Sequence, residues 1–194
     1  MKKYFIILIV MVISLSTSNA QYKTFVFGNL SYDVDCFYNS GGFITIKIKM
    51  ASLDLNQVEM MIGNRVQYDS FIDRLNYSKT KIAEWDSVCK INNITKIDKL
   101  IDFKAKSKEE PFIWFGKYYN TTSLTSTFSF NNGTSSVILH SGRIHALSNK
   151  YITCDGGMII FYSANDIQEM IDEFNLDKIR KYIDDKNKTN ELLK

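Results

Sequence analysis

The 194-residue sequence holds one proline, two histidines and three cysteines, and neither sign of charge dominates it. Three cysteines in a chain of this length exclude a cysteine-dense miniprotein, and the composition excludes a collagen-like repeat. Hydrophobic runs long enough for a multi-pass membrane protein are missing. So are G-x-S-x-G, H-E-x-x-H, the P-loop, G-x-G-x-x-G and C-x-x-C, which removes the advertised nucleophile, zinc, phosphate, dinucleotide and dithiol chemistries. No cofactor is implied. What is present is ordinary: 45% hydrophobic and 23% charged residues, enough for one domain to bury a core without staples.

The first twenty residues carry an address. Lys2 and Lys3 form a basic start, Tyr4–Leu15 is almost wholly apolar, and Ser16–Ala20 is small and polar, ending in Ser18-Asn19-Ala20. That is the three-part layout of a secretory signal peptide cleaved before Gln21. This twelve-residue stretch is too short to span a bilayer, which takes roughly 20 apolar residues. Loss of Lys2 and Lys3 leaves 22 basic against 21 acidic residues, a mature net charge of +1. This balance makes no electrostatic case for nucleic acid. Lys104, Lys106 and Lys108 alternate as on a strand, but Glu109 and Glu110 follow at once, so a solvated edge strand is expected.

Export places Cys36, Cys89 and Cys154 where disulfides persist. They allow one bridge and one leftover in any pairing, or three buried small hydrophobes. Asn-x-Ser/Thr occurs at Asn29, Asn76, Asn93, Asn120, Asn132 and Asn187. With a bacterial-looking leader and abundant Lys, Ile, Asn and Tyr, these read as accidents of composition.

Strand signals open the mature chain. Thr24–Gly28 predicts a first strand, and Leu30, Tyr32, Val34, Cys36 and Tyr38 give a second one apolar face. Ile44, Ile46 and Ile48 do the same for a third. A three-residue loop with Gly41 left-handed would pair Tyr38 with Gly42, Cys36 with Ile44 and Asp33 with Lys47. The period then changes. Tyr68, Phe71, Leu75, Ser78, Ile82, Trp85 and Cys89 step by three and four, predicting a long helix over Tyr68–Lys90, with a shorter helix over Leu55–Ile62 before it.

Phe112–Tyr162 reads as a meander. A two-residue turn at Asn132-Gly133 pairs Phe128 with Val137 and Ser126 with Leu139. Ser141-Gly142 would turn next, setting Leu139 beside Ile144 and Val137 beside Ala146. Asp155-Gly156-Gly157 would join Tyr151–Cys154 to Met158–Tyr162. Ser163 with Asp166 three positions on is a capping-box variant, opening a helix whose stripe is Ile167, Met170, Ile171 and Phe174. Asn175 breaks it, Leu176–Ile183 forms another helix, and Lys186–Lys194 is a polar tail expected to be mobile.

Candidate chemistry is sparse. In the meander register His140 faces Arg143, His145 faces Ile138, and the two histidines project to one side as a two-ligand start on a metal site. A third ligand has no recognisable spacing, so surface histidines near a hairpin tip are the plainer account. Asp33 and Asp35 lie two apart on a strand, but cross-strand Lys47 and Thr45 explain them better than paired acid–base carboxylates. Ser141 is accounted for by its turn. Phe112, Trp114, Phe115, Tyr118 and Tyr119 fall on both faces of one predicted strand. Trp114, Tyr118 and Tyr119 are candidate ligand contacts if that row is exposed.

Several segments resemble small exported proteins of unknown function from Bacteroides-type gut bacteria. They are Phe71, Leu75, Lys81, Glu84 and Trp85 on the long helix, Asn92-Asn93-Ile94-Thr95, Phe112-Ile113-Trp114, Ser148-Asn149-Lys150-Tyr151-Ile152 and Phe161–Ile171. The resemblance spans most of Tyr68–Ile183 and implies no activity. The expectation is a signal peptide over residues 1–20, one α+β domain over 21–185 and a tail over 186–194. A largely antiparallel sheet, a β-meander with hairpins, is packed by one long helix and closed by carboxy-terminal helices. The expected role is a non-enzymatic binding or interaction protein that is exported to the periplasm or cell envelope or is secreted. Its ligand would be a protein, peptide or glycan, with no nucleic acid and no transmembrane segment in the mature chain. The rivals are a secreted hydrolase or metal-dependent enzyme built around His140 and His145, and an inhibitor or immunity-type protein.

Overall fold

A computed structural model describes residues 21–52, 58–104, 111–115, 118–120, 124–145, 151 and 153–192. The leader expected over 1–20 lies outside the described residues, as do Lys106 and Lys108. Alternating apolar positions build the first sheet from β1 (Lys23–Phe27), β2 (Leu30–Tyr38), β3 (Ile44–Met50) and β4 (Val58–Ile62), an antiparallel meander. β6 (Phe112–Phe115) and β7 (Tyr118–Asn120) continue it beyond β4. The second sheet, in the order β12-β9-β8-β5, contains β5 (Lys96–Leu100), β8 (Thr125–Asn131), β9 (Thr134–His140) and β12 (Met158–Phe161). A short pair, β10 (Ile144–His145) and β11 (Thr153–Cys154), stands apart. Helix α1 (Arg65–Ile91) lies between β4 and β5 in the chain, and α2 (Ala164–Glu173) and α3 (Leu176–Leu192) follow β12. The fold is α+β with antiparallel sheets.

One connected core fills the interior. Phe25, Phe27, Tyr32, Val34, Ile46, Ile48 and Met60 supply it from the first sheet, and Phe128, Phe130, Val137, Leu139, Ile159 and Phe161 from the second. α1 sets Phe71, Leu75 and Ile82 into this core and packs on β8, β9 and α2, while α3 lies on β2 and β3. Each such buried side chain contributes about 1.5–3 kcal/mol. The sheets are tied directly: Ala51 and Met158 exchange backbone hydrogen bonds of 3.0 and 2.8 Å, and the Phe27 and Phe161 rings meet at 5.3 Å. At the outer margin Trp85 stands edge-on to Phe128, and Lys99 covers its ring with the ammonium 4.2 Å from the centroid.

Helix ends follow local chemistry. Asn64 caps α1 by accepting the N–H of Gln67 at 2.9 Å, and Gln67 reaches back to accept the N–H of Gly63 at 2.7 Å. This starts the helix three residues before the apolar stripe begins. Ser163 and Asp166 close the expected capping box on α2. Asn175 both ends α2 and opens α3, its side chain accepting the N–H groups of Asp177 and Lys178.

Four expectations are corrected. The Asn132-Gly133 register is as expected, with Phe128 opposite Val137 and Ser126 opposite Leu139, but the β2–β3 register is displaced by two residues. Tyr38 meets Ile44 and Asp35 meets Lys47, because Asn39 closes the loop instead of entering it. Its N–H bonds Phe43 O, its side-chain oxygen accepts from Gly41 and Phe43, and Gly42 rather than Gly41 takes the left-handed conformation. Parity is unchanged, so the apolar face is the expected one.

The helix expected over Leu55–Ile62 is not formed at its described end, where Val58–Ile62 is a central strand between β3 and β6. A short apolar run satisfies either period, and two flanking strands decide it. Third, Ser141-Gly142 does not turn β9 onto β10. β9 pairs with β12, placing Leu139 opposite Ile159 and Val137 opposite Phe161, and β10 pairs with β11. Asp155-Gly156-Gly157 therefore joins strands of different sheets instead of turning a hairpin. Gly157 makes this possible by packing directly on the side chains of Met50 in β3 and Val58 in β4, where a Cβ would sit 2.7 Å from Met50 Cβ and Val58 Cγ1. Fourth, helix α3 continues through Lys186 to Leu192, where a separate tail was expected.

Candidate functional site

A cleft of about 360 Å3 opens where α1, the β8–β9 turn and the start of α2 converge. Its floor is Ile82 and Ala83 of α1, and Asp86 and Lys90 follow on the same helix. Gly133, Thr134 and Ser135 form one wall, and Tyr162, Ser163 and Ala164 the other. Each wall is fixed by a sequence device. Asn132 and Gly133 both have positive φ, as a two-residue hairpin turn requires, and this brings Ser135 onto α1. The capping box holds the opposite wall. Asp166 accepts the N–H groups of Tyr162 and Ser163 at 2.8 and 3.2 Å, and Ser163 Oγ accepts the N–H of Asp166 at 3.1 Å.

The polar groups of the cleft are already oriented. Asp86 Oδ1 accepts the Ser135 hydroxyl at 2.9 Å, and Asp86 Oδ2 lies 2.7 Å from Lys90 Nζ. Aspartate one turn before lysine is the favoured order on a helix. Tyr162 is 40% exposed, and one edge of its ring rests on the β1–β2 turn at Gly28. A Cβ on Gly28 would come within 2.6 Å of Tyr162 Cε2, so the missing side chain is what admits the ring. Asp86, Lys90, Ser135 and Tyr162 thus line one small space.

The residues singled out from sequence lie elsewhere and apart. His140 ends β9 opposite Met158 and Thr125, with Nε2 2.6 Å from Thr125 Oγ1. His145 is on β10 opposite Thr153. The shared hairpin that would have made them neighbours does not exist, because β9 takes β12 as its partner. Among the described residues no group of three or more His, Cys, Asp or Glu side chains could hold a metal ion. Asp33 and Asp35 lie 4.0 Å from Lys49 and Lys47, and Lys47 also pairs with Glu59 of β4 at 3.3 Å. These carboxylates belong to a charge ladder on the sheet.

Trp114, Tyr118 and Tyr119 do not share one strand. They are divided between β6 and β7, where Trp114 pairs with Tyr119 and Phe115 with Tyr118; their side chains are outside the described part. Ser141 is buried with its hydroxyl engaged, accepting the N–H of Gly157 at 3.0 Å and donating to Gly142 O at 3.1 Å. All three cysteines are buried free thiols. Burial, with the Asp35 charge second, pushes the Cys36 thiol up to about 12, which keeps it protonated and a poor nucleophile.

Sequence reasoning passed over Asp86, Lys90, Ser135 and Tyr162. The usable signals were the Asp86–Lys90 spacing on a helix flank and the aromatic residue just before a capping box. Neither points to the other, because only the folded chain joins residues from three distant segments. Compared with models of known protein families, with curated proteins and with solved structures, the chain matches none.

Proposed function

We propose that the chain is an exported, non-enzymatic binding protein of the bacterial envelope, and that its ligand occupies the cleft between α1, the β8–β9 turn and α2. The observation that carries this reading is the cleft itself. Its hydrogen-bonding groups are held in place by neighbours, as Asp86 is by Ser135 and Lys90. Such a site recognises a ligand at small cost in side-chain ordering. Its volume falls at the low end of the roughly 300–1,000 Å3 of small-ligand pockets. The Lys2–Ala20 pattern supports the address.

Two measurements test the two halves. Amino-terminal sequencing of the native product is expected to begin at Gln21 in an extracytoplasmic fraction; an intact Met1 in the cytosol overturns export. For binding, the backbone amide signals of Gly133, Ser135 and Ala164 are followed as mixtures of short peptides and glycans are added. Movement concentrated on those signals supports the cleft. Signals that stay still with every mixture overturn it.

A further inference from the structure

We propose that the cleft takes a neutral sugar residue, its ring lying against Tyr162 and two adjacent hydroxyls bridging Asp86 and Lys90; this rests on the binding reading above. Asp86 Oδ2 and Lys90 Nζ stand 2.7 Å apart on one helix flank, an acceptor and a donor side by side. Neighbouring hydroxyls on a sugar ring have a similar separation, and each both donates and accepts. One hydroxyl can give its proton to the carboxylate while the next accepts from the ammonium. Hydrogen bonds to charged groups are the stronger kind. Ser135 keeps Asp86 aimed from its other oxygen, so the carboxylate does not have to be ordered on binding.

The opposite wall supplies the aromatic residue. A sugar ring presents a face of C–H groups, and Tyr162, which lines the cleft and is 40% exposed, is the aromatic side chain available to it. Its backbone N–H is held by Asp166, and its edge rests in the space left by Gly28. Charge selects against the main alternative. An anionic ligand would gain Lys90 but would meet Asp86 beside it and Asp166 behind Ser163. A neutral polyhydroxylated ligand uses the carboxylate and the ammonium together.

The test is an amide-shift titration of the purified protein with glucose, galactose, mannose and N-acetylglucosamine, and separately with neutral di- and tripeptides. At least one sugar is expected to move Gly133, Thr134, Ser135 and Ala164. Asp86→Asn is expected to weaken that binding about tenfold, as the loss of a charge-assisted hydrogen bond would. Tyr162→Ala should weaken it comparably, and Tyr151→Ala, at an exposed tyrosine outside the cleft, should leave it unchanged. Dispersed spectra of each variant establish that it is folded. Peptides moving those amides while every sugar leaves them still overturns the sugar assignment and keeps the binding cleft. No movement with either class overturns both. Sugar binding that survives Asp86→Asn and Tyr162→Ala undiminished overturns the proposed pose.

Discussion

The hydroxyl of Tyr32, near the start of β2, accepts the backbone N–H of Ile160 in β12 at 2.9 Å, joining the two sheets through a side chain that is itself fully buried. Tyr32→Phe keeps the ring and removes the acceptor, leaving a buried N–H without its partner. The expected cost is about 1–3 kcal/mol, read as a lower urea midpoint with an unchanged slope. A variant as stable as the parent would show that this bond contributes nothing across the sheets.

Alkaline pH should weaken the protein. Burial pushes Tyr22, Tyr32 and Cys36 each up to about 12, from ordinary values of 10.0, 10.0 and 9.0. Between those ordinary values and 12 the folded state holds protons that the unfolded chain has lost, so stability falls as pH rises. Unfolding free energy is expected to be insensitive to these groups below about pH 9 and to decline from there toward 12. Cys36→Ala should remove the earliest part of the decline, measured by denaturant titration at several pH values.

Close approach at Gly157 gives a sharper contrast. Gly157→Ala drives a methyl group into Met50 and Val58, both part of packed strands, and should cost at least 1–3 kcal/mol. Gly133→Ala, in a left-handed turn with open space around it, should cost only the conformational penalty of about 1–2 kcal/mol. Thermal melts that rank the Gly133 variant as the less stable would contradict the packing of Gly157 against Met50 and Val58.

Ser163→Ala removes half of the α2 capping box and should cost about 1 kcal/mol. Asp166→Ala should do more at the cleft, because it also releases the Tyr162 and Ser163 N–H groups. Hydrogen exchange at these two amides is the readout. Faster exchange in Asp166→Ala with little change at Ile183 is expected; uniform acceleration would mean global weakening instead.

What could be read in advance was whatever depends on neighbours in sequence. Asn132-Gly133 determines its own turn, and Ser163 with Asp166 its own helix start, so both came out residue for residue. Asn93 and Asn132 also have positive φ, which accounts for asparagine at two of the six sequons by turn chemistry. The β2–β3 hairpin was half legible: alternation fixed the face, but Asn39 chose where the loop closed. Val58–Ile62 was ambiguous until β3 and β6 flanked it. The partner of β9 was not legible, because nothing in Ser141-Gly142 announces that the chain will travel to Met158 before returning. The cleft was hidden for the same reason, since Tyr162 joins Asp86 and Ser135 only after that return.

The bridge between Ala51 and Met158 has a consequence for timing. A meander of four strands is complete by Ile62, yet its margin at Ala51 waits for a segment more than a hundred positions downstream. Contacts so distant along the polymer make collapse to the final state slow, and postpone it until almost the whole chain is available. A nascent chain therefore leaves this margin open through most of its synthesis, and the two sheets can join there only near its end.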